Sequence, residues 1–173
     1  MHALQAERRT ALKVRLWRTL LGVAWLVWIL DIATKLWAVS WLTHRGQVKV
    51  IGSFLQLNFA RNSGAAFSFA PGATIFLSFF ALIVLGGILY FMPSLTSKGW
   101  AVVLGLVMGG ILGNLTDRIF REPGLLRGHV VDWLQLPHWP IFNIADSAIV
   151  IAALISMVLS ARNIAPIKKE ELI

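Results

Sequence analysis

Four long apolar runs dominate the sequence and limit the folds that the chain can adopt. They cover approximately residues 19–42, 73–92, 99–116 and 141–161. Each run is near the ~20 residues that an α-helix needs to cross about 30 Å of hydrocarbon. The chain of 173 residues is 57% hydrophobic and 14% charged, which favours one compact membrane-embedded domain over residues 1–173. We therefore predict an all-α membrane protein with four transmembrane helices.

The positions of the basic residues predict the orientation in the membrane. The formal net charge is +8, but lysine and arginine cluster at the ends of the apolar runs, which argues against a nucleic-acid partner. An even number of spans places both termini on one side. The basic N-terminal arm, Lys98 and the basic tail share that side, which the positive-inside rule makes cytoplasmic. The first run is too long for a cleaved signal peptide, so we expect it to be retained.

Between the first two runs, residues 46–70 have the pattern of a β-strand. Leu55, Leu57 and Phe59 alternate with less apolar residues, and Gly52 and Gly64 punctuate the segment. We expect a small extracytoplasmic β element that lies over the helices.

The third run contains glycines at four-residue intervals, Gly105, Gly109 and Gly113. A face of small residues lets neighbouring helix backbones approach closely in a membrane. We interpret these glycines as packing residues.

Two aspartates, Asp132 and Asp146, are the candidate catalytic pair. Pro137 and Pro140 lie between them and interrupt any continuous helix, so a bend could bring the carboxylates together. Asp146 is expected about five residues, or roughly 7.5 Å, inside the fourth apolar run. A charge at the bilayer centre costs about 2.5 to 3.5 kcal/mol, which favours a functional role. A hydrogen-bonded aspartate at a helix end is the alternative.

Other polar residues also map to the outer ends of the spans. Asp31 and Lys35 have the i, i+4 spacing of an intrahelical ion pair. Asn143 and Asp146, at i, i+3, share one helix face. The remaining residues are Asn62, Asn114, Asp117 and Arg118. The plainer interpretation is that these groups satisfy one another where the helices emerge, and for Asp117 and Arg118 it includes phosphate contact.

Several chemistries are excluded by what the sequence lacks. It has no cysteine and no His-Glu-x-x-His, and its four histidines lie in separate segments, so we predict no metal site. It has neither a serine nucleophile elbow nor a phosphate-binding glycine loop. Two nearby carboxylates in a poorly solvated site share one proton and supply one acid and one base. Such a pair hydrolyses amides without a cofactor. His129 could tune Asp132, but a loop role for it is the alternative.

At these residues the sequence resembles lipoprotein signal peptidase (signal peptidase II), the family of aspartyl membrane proteases that process bacterial prolipoproteins. The resemblance rests on five blocks in order: DIATK at 31–35, NSGAAFSF at 62–69, GGILGNLTDR at 109–118, GHVVDW at 128–133 and FNIADS at 142–147. It implies that Asp132 and Asp146 form the catalytic dyad and that Asp31 and Lys35 form a structural pair. Five residues would contact the substrate: Asn62, Gly64, Asn114, Arg118 and Asn143. The link at 119–127 is longer than the family's compact form.

The resemblance also implies substrate, partners and location. The substrate is a prolipoprotein signal peptide, cut on the amino side of a cysteine that carries diacylglycerol. Membrane phospholipid and cyclic peptide inhibitors of the globomycin type are the other expected partners. The enzyme is expected to be a monomer in the bacterial cytoplasmic membrane, with its active site near the outer leaflet. Two other classes stay open on the residues alone: a small proton-coupled carrier and a non-catalytic assembly protein. The inner halves of the spans lack ionisable residues, which disfavours the carrier.

Overall fold

The computed structural model describes residues 2–64 and 73–167, which form four long helices and one small sheet. In chain order the elements are α1 (His2–Leu42), β1 (Val48–Ile51), β2 (Leu55–Asn62), α2 (Ala73–Phe91), α3 (Lys98–Phe120), β3 (Val130–Gln135) and α4 (Ile144–Ala161). A short 3₁₀ turn, Met92–Ser94, follows α2.

Four helical stretches are long and apolar enough to cross a membrane: Lys13–Leu42, Thr74–Ser94, Lys98–Phe120 and Ile144–Ala161. The predicted fold class is thereby confirmed. In the most apolar part of α3, 50% of the residues are buried, against 11% in α2. The third helix is therefore the centre of the bundle, and α2 lies at its edge.

The glycines of α3 explain how it can occupy the centre. A Cβ on Gly105 or on Gly109 would lie 2.7 Å from the carbonyl oxygen of Leu20 or Ala24 in α1. A Cβ on Gly110 would lie 2.6 Å from the carbonyl oxygen of Ala145 in α4. All three contacts are closer than carbon and oxygen can approach without rearrangement. The predicted packing role of these glycines is confirmed, and Gly110 extends it to α4.

The sheet has the antiparallel order β1-β2-β3, and its third strand was not predicted. Sequence analysis confined the β element to residues 46–70, but β3 comes from the segment between α3 and α4. Asp132 therefore stands on a strand, opposite Ala60 of β2. Val131 and Trp133 of β3 pack against Ala38 near the C-terminal end of α1. Residues 65–70 of the predicted element lie outside the described residues.

The end of α3 and the start of α4 differ from the predicted ones, and this changes where the candidate site residues lie on these helices. The third helix continues to Phe120, so Asn114 and Arg118 project from its last turns. The fourth begins at Ile144, because Phe142 is still bridged to Leu134 of β3 and Asn143 then caps the helix. Asp146 consequently lies in the first turn of α4, and the prediction that it lies deeper inside the helix was wrong.

Candidate active site

Asp132 is buried on β3 and is held by two side-chain amides. Its side chain is 2% exposed. Asn62 Nδ2 donates to Asp132 Oδ2 at 3.0 Å, and Asn143 Nδ2 donates to Asp132 Oδ1 at 2.6 Å. Strand pairing brings Asn62 within reach, because β2 carries both Asn62 and Ala60, the residue opposite Asp132. The carboxylate is therefore fixed by three separate segments of the chain.

Asp146 is half-buried in the first turn of α4 and forms a capping box with Asn143. The Asp146 backbone N–H donates to Asn143 Oδ1 at 2.9 Å, and the Asn143 backbone N–H donates to Asp146 Oδ2 at 3.2 Å. This reciprocal arrangement satisfies two N–H groups that a helix start leaves unpaired. Asn114 Nδ2 donates to Asp146 Oδ1 at 2.8 Å. Asp146 therefore has the hydrogen bonds of an aspartate at a helix end, as the alternative interpretation of the sequence expected.

Asn143 connects the two aspartates directly. Its side chain donates to Asp132 while its backbone donates to Asp146, and its side chain is completely buried. Since a single residue contacts both acids, the two carboxylates lie near each other, and the charge of Asp146 acts on Asp132. This is the juxtaposition that the proline-interrupted segment allowed but did not require.

The orientation of each asparagine amide is fixed by a group that can only donate. Asn62 Oδ1 accepts from the backbone N–H of Gly64 at 2.8 Å, and Asn114 Oδ1 accepts from Lys35 Nζ at 2.9 Å. In Asn143 the oxygen accepts from the Asp146 backbone N–H. Each NH₂ group must therefore point towards an aspartate. The site presents oriented donors to both carboxylates.

Lys35 is the buried centre of the surrounding polar network. Its side chain is 1% exposed, and Nζ lies 2.7 Å from Asp31 Oδ2 and 3.1 Å from Asp117 Oδ2. Its third contact is Asn114. Asp31 Oδ1 in turn accepts from the Ala145 backbone N–H at 2.9 Å. The Asp31 and Lys35 pair therefore ties α1 to both α3 and the start of α4.

Asp117 and Arg118 are neighbours in sequence but have different surroundings. Asp117 is ion-paired with Lys35 and Arg121 and accepts from the Val131 backbone N–H at 3.1 Å, so it anchors β3 to α3. Arg118 lines an apolar cavity together with Asn114. Of the two, only Arg118 stays a candidate for substrate contact.

The environment of Asp132 raises its pKa to about 6, from an ordinary value of 3.8. Burial is the largest cause, followed by the negative charge of Asp146. Hydrogen bonds from Asn62 and Asn143 oppose the shift and stabilise the ionised form. A carboxyl with this pKa can hold or release a proton near neutral pH. In residues 2–64 and 73–167, no three His, Asp or Glu side chains are grouped to hold a metal ion.

Cavities reach the paired acids from different sides. One of about 290 Å³ is lined by Asp132 and Asn62 together with Pro140 and Ile141. Another, of about 340 Å³, is lined by Asp146 and the apolar residues Trp139, Phe142 and Val150. Asn114 and Arg118 lie at a third, of about 300 Å³, between α2, α3 and α4. An apolar substrate segment thus has room beside the carboxylates.

The network that supports the site was not predicted from the sequence. Lys35 was expected to pair with Asp31 alone, but it also contacts Asn114 and Asp117. The signal for β3 was present, since Val130, Val131 and Trp133 favour strands. His129, considered as a residue that tunes Asp132, instead lines a separate cavity with Arg61 and Arg121.

A membrane-embedded four-helix fold with two hydrogen-bonded carboxylates at one end fits the class of membrane aspartic peptidases. The sequence profile of the family described as signal peptidase (SPase) II matches residues 23–162. The chain therefore belongs to the signal peptidase II family, an aspartic peptidase family.

Similar proteins are named lipoprotein signal peptidase. The one from Mycobacterium leprae is 46% identical over 154 residues, which cover 89% of this chain and 77% of the relative. The one from Mycobacterium avium is 49% identical over 143 residues, which cover 83% of this chain and 79% of the relative. A solved bacterial membrane enzyme superposes with a TM-score of 0.72 at 30% identity, over 82% of this chain and 92% of that one.

Proposed function

We propose that Asp132 and Asp146 are the catalytic dyad of a peptidase that removes signal peptides from prolipoproteins. The observation that carries the proposal is the contact of Asn143 with both carboxylates, through its side chain and its backbone. Family membership supports the reaction, and the geometry supports these two residues as the groups that perform it. The dyad would act on a water molecule, without a metal or a covalent intermediate.

The two aspartates differ enough in environment to support separate roles. Asp132 is the more buried, and its raised pKa makes a proton on it accessible near neutral pH, so it acts as the acid that hydrogen-bonds the scissile carbonyl oxygen. Asp146 lies in the first turn of α4, where the helix dipole favours an anion, and so acts as the base. It takes a proton from water as the water oxygen attacks the carbonyl carbon. The protonated Asp146 then gives this proton to the departing nitrogen as the C–N bond breaks, which returns Asp146 to its ionised form and completes the hydrolysis.

The substrate is proposed to be the lipid-modified form of the prolipoprotein, cut on the amino side of the diacylglyceryl cysteine. The apolar cavity between α2, α3 and α4 supports this, because it brings Asn114 and Arg118 to the edge of a hydrocarbon-like space. Gly64, Asn62 and Asn143 would complete the binding surface on the side of the sheet. Cyclic peptides of the globomycin type would compete for the same region. Both aspartates come from one chain, which supports a monomer in contact with membrane phospholipid.

The active site is proposed to lie near the outer leaflet of the bacterial cytoplasmic membrane, with both termini in the cytoplasm. Two hydrogen bonds join segments at the end of the bundle opposite the sheet. Trp17 Nε1 donates to the Met92 carbonyl oxygen, and Trp100 Nε1 donates to that of Ile164. The exposed Arg15 and Arg18 lie towards this end, which the positive-inside rule makes cytoplasmic.

The decisive experiment is cleavage by the purified Asp132→Asn and Asp146→Asn proteins. Each variant is expected to lose prolipoprotein cleavage while staying folded and inserted, because an amide can neither accept the proton from water nor give one to the carbonyl. The substrate is a lipidated prolipoprotein in detergent, and its mobility on a gel is the readout. Normal processing by either variant would remove that residue from the mechanism.

A matched control is Glu122→Gln, which makes the same acid-to-amide change outside the dyad region. Glu122 lines a separate cavity that neither aspartate lines, so the purified variant should retain cleavage. The carrier and assembly alternatives are not favoured, because the chain belongs to a peptidase family.

A further inference from the structure

A further cavity lies at the C-terminal end of α3 and is separate from the three cavities beside the dyad. It has a volume of about 340 Å³ and is lined by Arg61, Phe120, Arg121, Glu122 and His129. Neither aspartate of the dyad lines it. Arg61 borders both this cavity and the one beside Asp132, so the two are neighbours on the sheet.

The lining of this cavity is cationic. The side chain of Arg121 is 29% exposed, lines the cavity and pairs with Asp117 through Nε. Arg61 is exposed on β2, and Glu122 is the single acid of the lining. Two guanidinium groups and one carboxylate line the cavity, and because Asp117 already pairs with Arg121, Arg61 is the arginine of the lining that makes no ion pair within the described residues. Guanidinium groups bind phosphate oxygens in a bidentate manner, so the cavity suits a phosphate.

Apolar residues beside the cavity place it at the level of lipid headgroups. Phe120 ends α3, is 80% exposed and lines the cavity itself. Leu125, in the following turn, is 76% exposed. A membrane span that ends in an exposed aromatic ring puts the adjacent guanidinium groups near the interface between hydrocarbon and water. A ligand with both acyl chains and a phosphate would satisfy both kinds of surface.

We propose that this cavity binds the phosphodiester headgroup of an anionic glycerophospholipid of the outer leaflet. Arg61 and Arg121 bind the phosphate oxygens, the His129 imidazole lines the floor, and Phe120 packs against the first acyl carbons. The site is separate from peptide cleavage, so lipid binding can be measured whether or not the proposed dyad is correct.

The test is lipid binding by the purified full chain, measured by native mass spectrometry at several lipid concentrations. Dioleoylphosphatidylglycerol is the probe, and dioleoylphosphatidylcholine is the zwitterionic comparison. Arg61→Gln should weaken phosphatidylglycerol binding about fivefold, the effect expected for one basic residue at a membrane surface. Arg121→Gln should weaken phosphatidylglycerol binding by a similar factor. If loss of the ion pair with Asp117 impairs the folding of that variant, Arg61→Gln still tests the proposal, because Arg61 is exposed.

Arg127→Gln is the matched control, because Arg127 is an exposed arginine in the loop between α3 and β3 and does not line the cavity. Its phosphatidylglycerol affinity should equal that of the parent. Equal affinity for Arg61→Gln and the parent, or equal losses for Arg61→Gln and Arg127→Gln, would overturn the proposal.

A second arm distinguishes a lipid from free phosphate. Phe120→Ser should weaken phosphatidylglycerol binding but leave any effect of inorganic phosphate on thermal stability unchanged. If inorganic phosphate stabilises the parent through Arg61 while phosphatidylglycerol binds no better than phosphatidylcholine, the lipid assignment is wrong.

Discussion

Asn143 Nδ2 lies 2.6 Å from Asp132 Oδ1, and both side chains are buried. Asn143 is also the N-cap of α4, so one residue performs a structural task and a site-organising task. The two tasks can be separated by substitution, because serine is a good N-cap but is too short to reach Asp132.

Asn143→Ser is expected to lower kcat/KM about 10- to 100-fold while keeping the cap. The loss corresponds to the ~1.5–3 kcal/mol typical of a hydrogen bond to a charged group. Asn143→Ala should lose similar activity and, in addition, about 1 kcal/mol of stability with the cap. Thermal unfolding and cleavage rates of the two purified variants test this. Serine and alanine variants of equal stability, or a serine variant of full activity, would contradict it.

The raised pKa of Asp132 predicts a stability that depends on pH. Because the folded-state pKa of about 6 exceeds the ordinary 3.8, the folded protein holds this proton more tightly than the unfolded chain does. The stabilisation is complete below about pH 4 and is lost as the pH rises through 6. Asn at position 132 does not titrate, so the Asp132→Asn protein should gain thermal stability relative to the parent between pH 4 and 7. Parallel melting temperatures of the two proteins over that range would exclude it.

Asp146→Asn supplies an internal control for this pH effect. The charge of Asp146 is the second cause of the shift, after burial. Its removal should lower the pKa of Asp132 and reduce the pH dependence of melting. A pH dependence that is unchanged in Asp146→Asn would assign the titration to another group.

The helices were predictable from sequence because an apolar run of about 20 residues has few other solutions. The position of Asp132 was not, because its strand is completed by pairing with β2, which is distant in sequence. The i, i+4 rule found the contact of Lys35 with Asp31, but no spacing rule links Lys35 to Asn114 in another helix. Local periodicity therefore predicted the elements, whereas the site depends on contacts between elements.

Gly113→Ala is expected to destabilise the protein through one polar contact. A Cβ at Gly113 would overlap Asp31 Oδ2, the oxygen that also contacts Lys35. The added methyl group must displace either the carboxylate or the helix, at a cost of about 1–3 kcal/mol. Gly87→Ala in α2 is the control, since a Cβ there meets nothing within 4 Å. Melting temperatures in detergent should fall for Gly113→Ala and stay level or rise for Gly87→Ala.

Lys35→Met tests whether the buried ammonium holds the site together. The variant leaves Asp31 and Asp117 without their shared cation and removes one of the two donors to Asn114 Oδ1, since only Asn143 Nδ2 still donates to it. Breaking a buried ion pair on one side typically costs about 3–5 kcal/mol, so a large fall in melting temperature is expected. Arg121→Met removes the more exposed partner of Asp117 and should cost markedly less. If the Lys35 variant is no less stable than the Arg121 variant, the ammonium is not the centre of the network.

In the double variant Lys35→Met, Asp31→Asn, part of the lost stability should return because one unpaired buried charge is removed, and failure to recover would place the cost elsewhere.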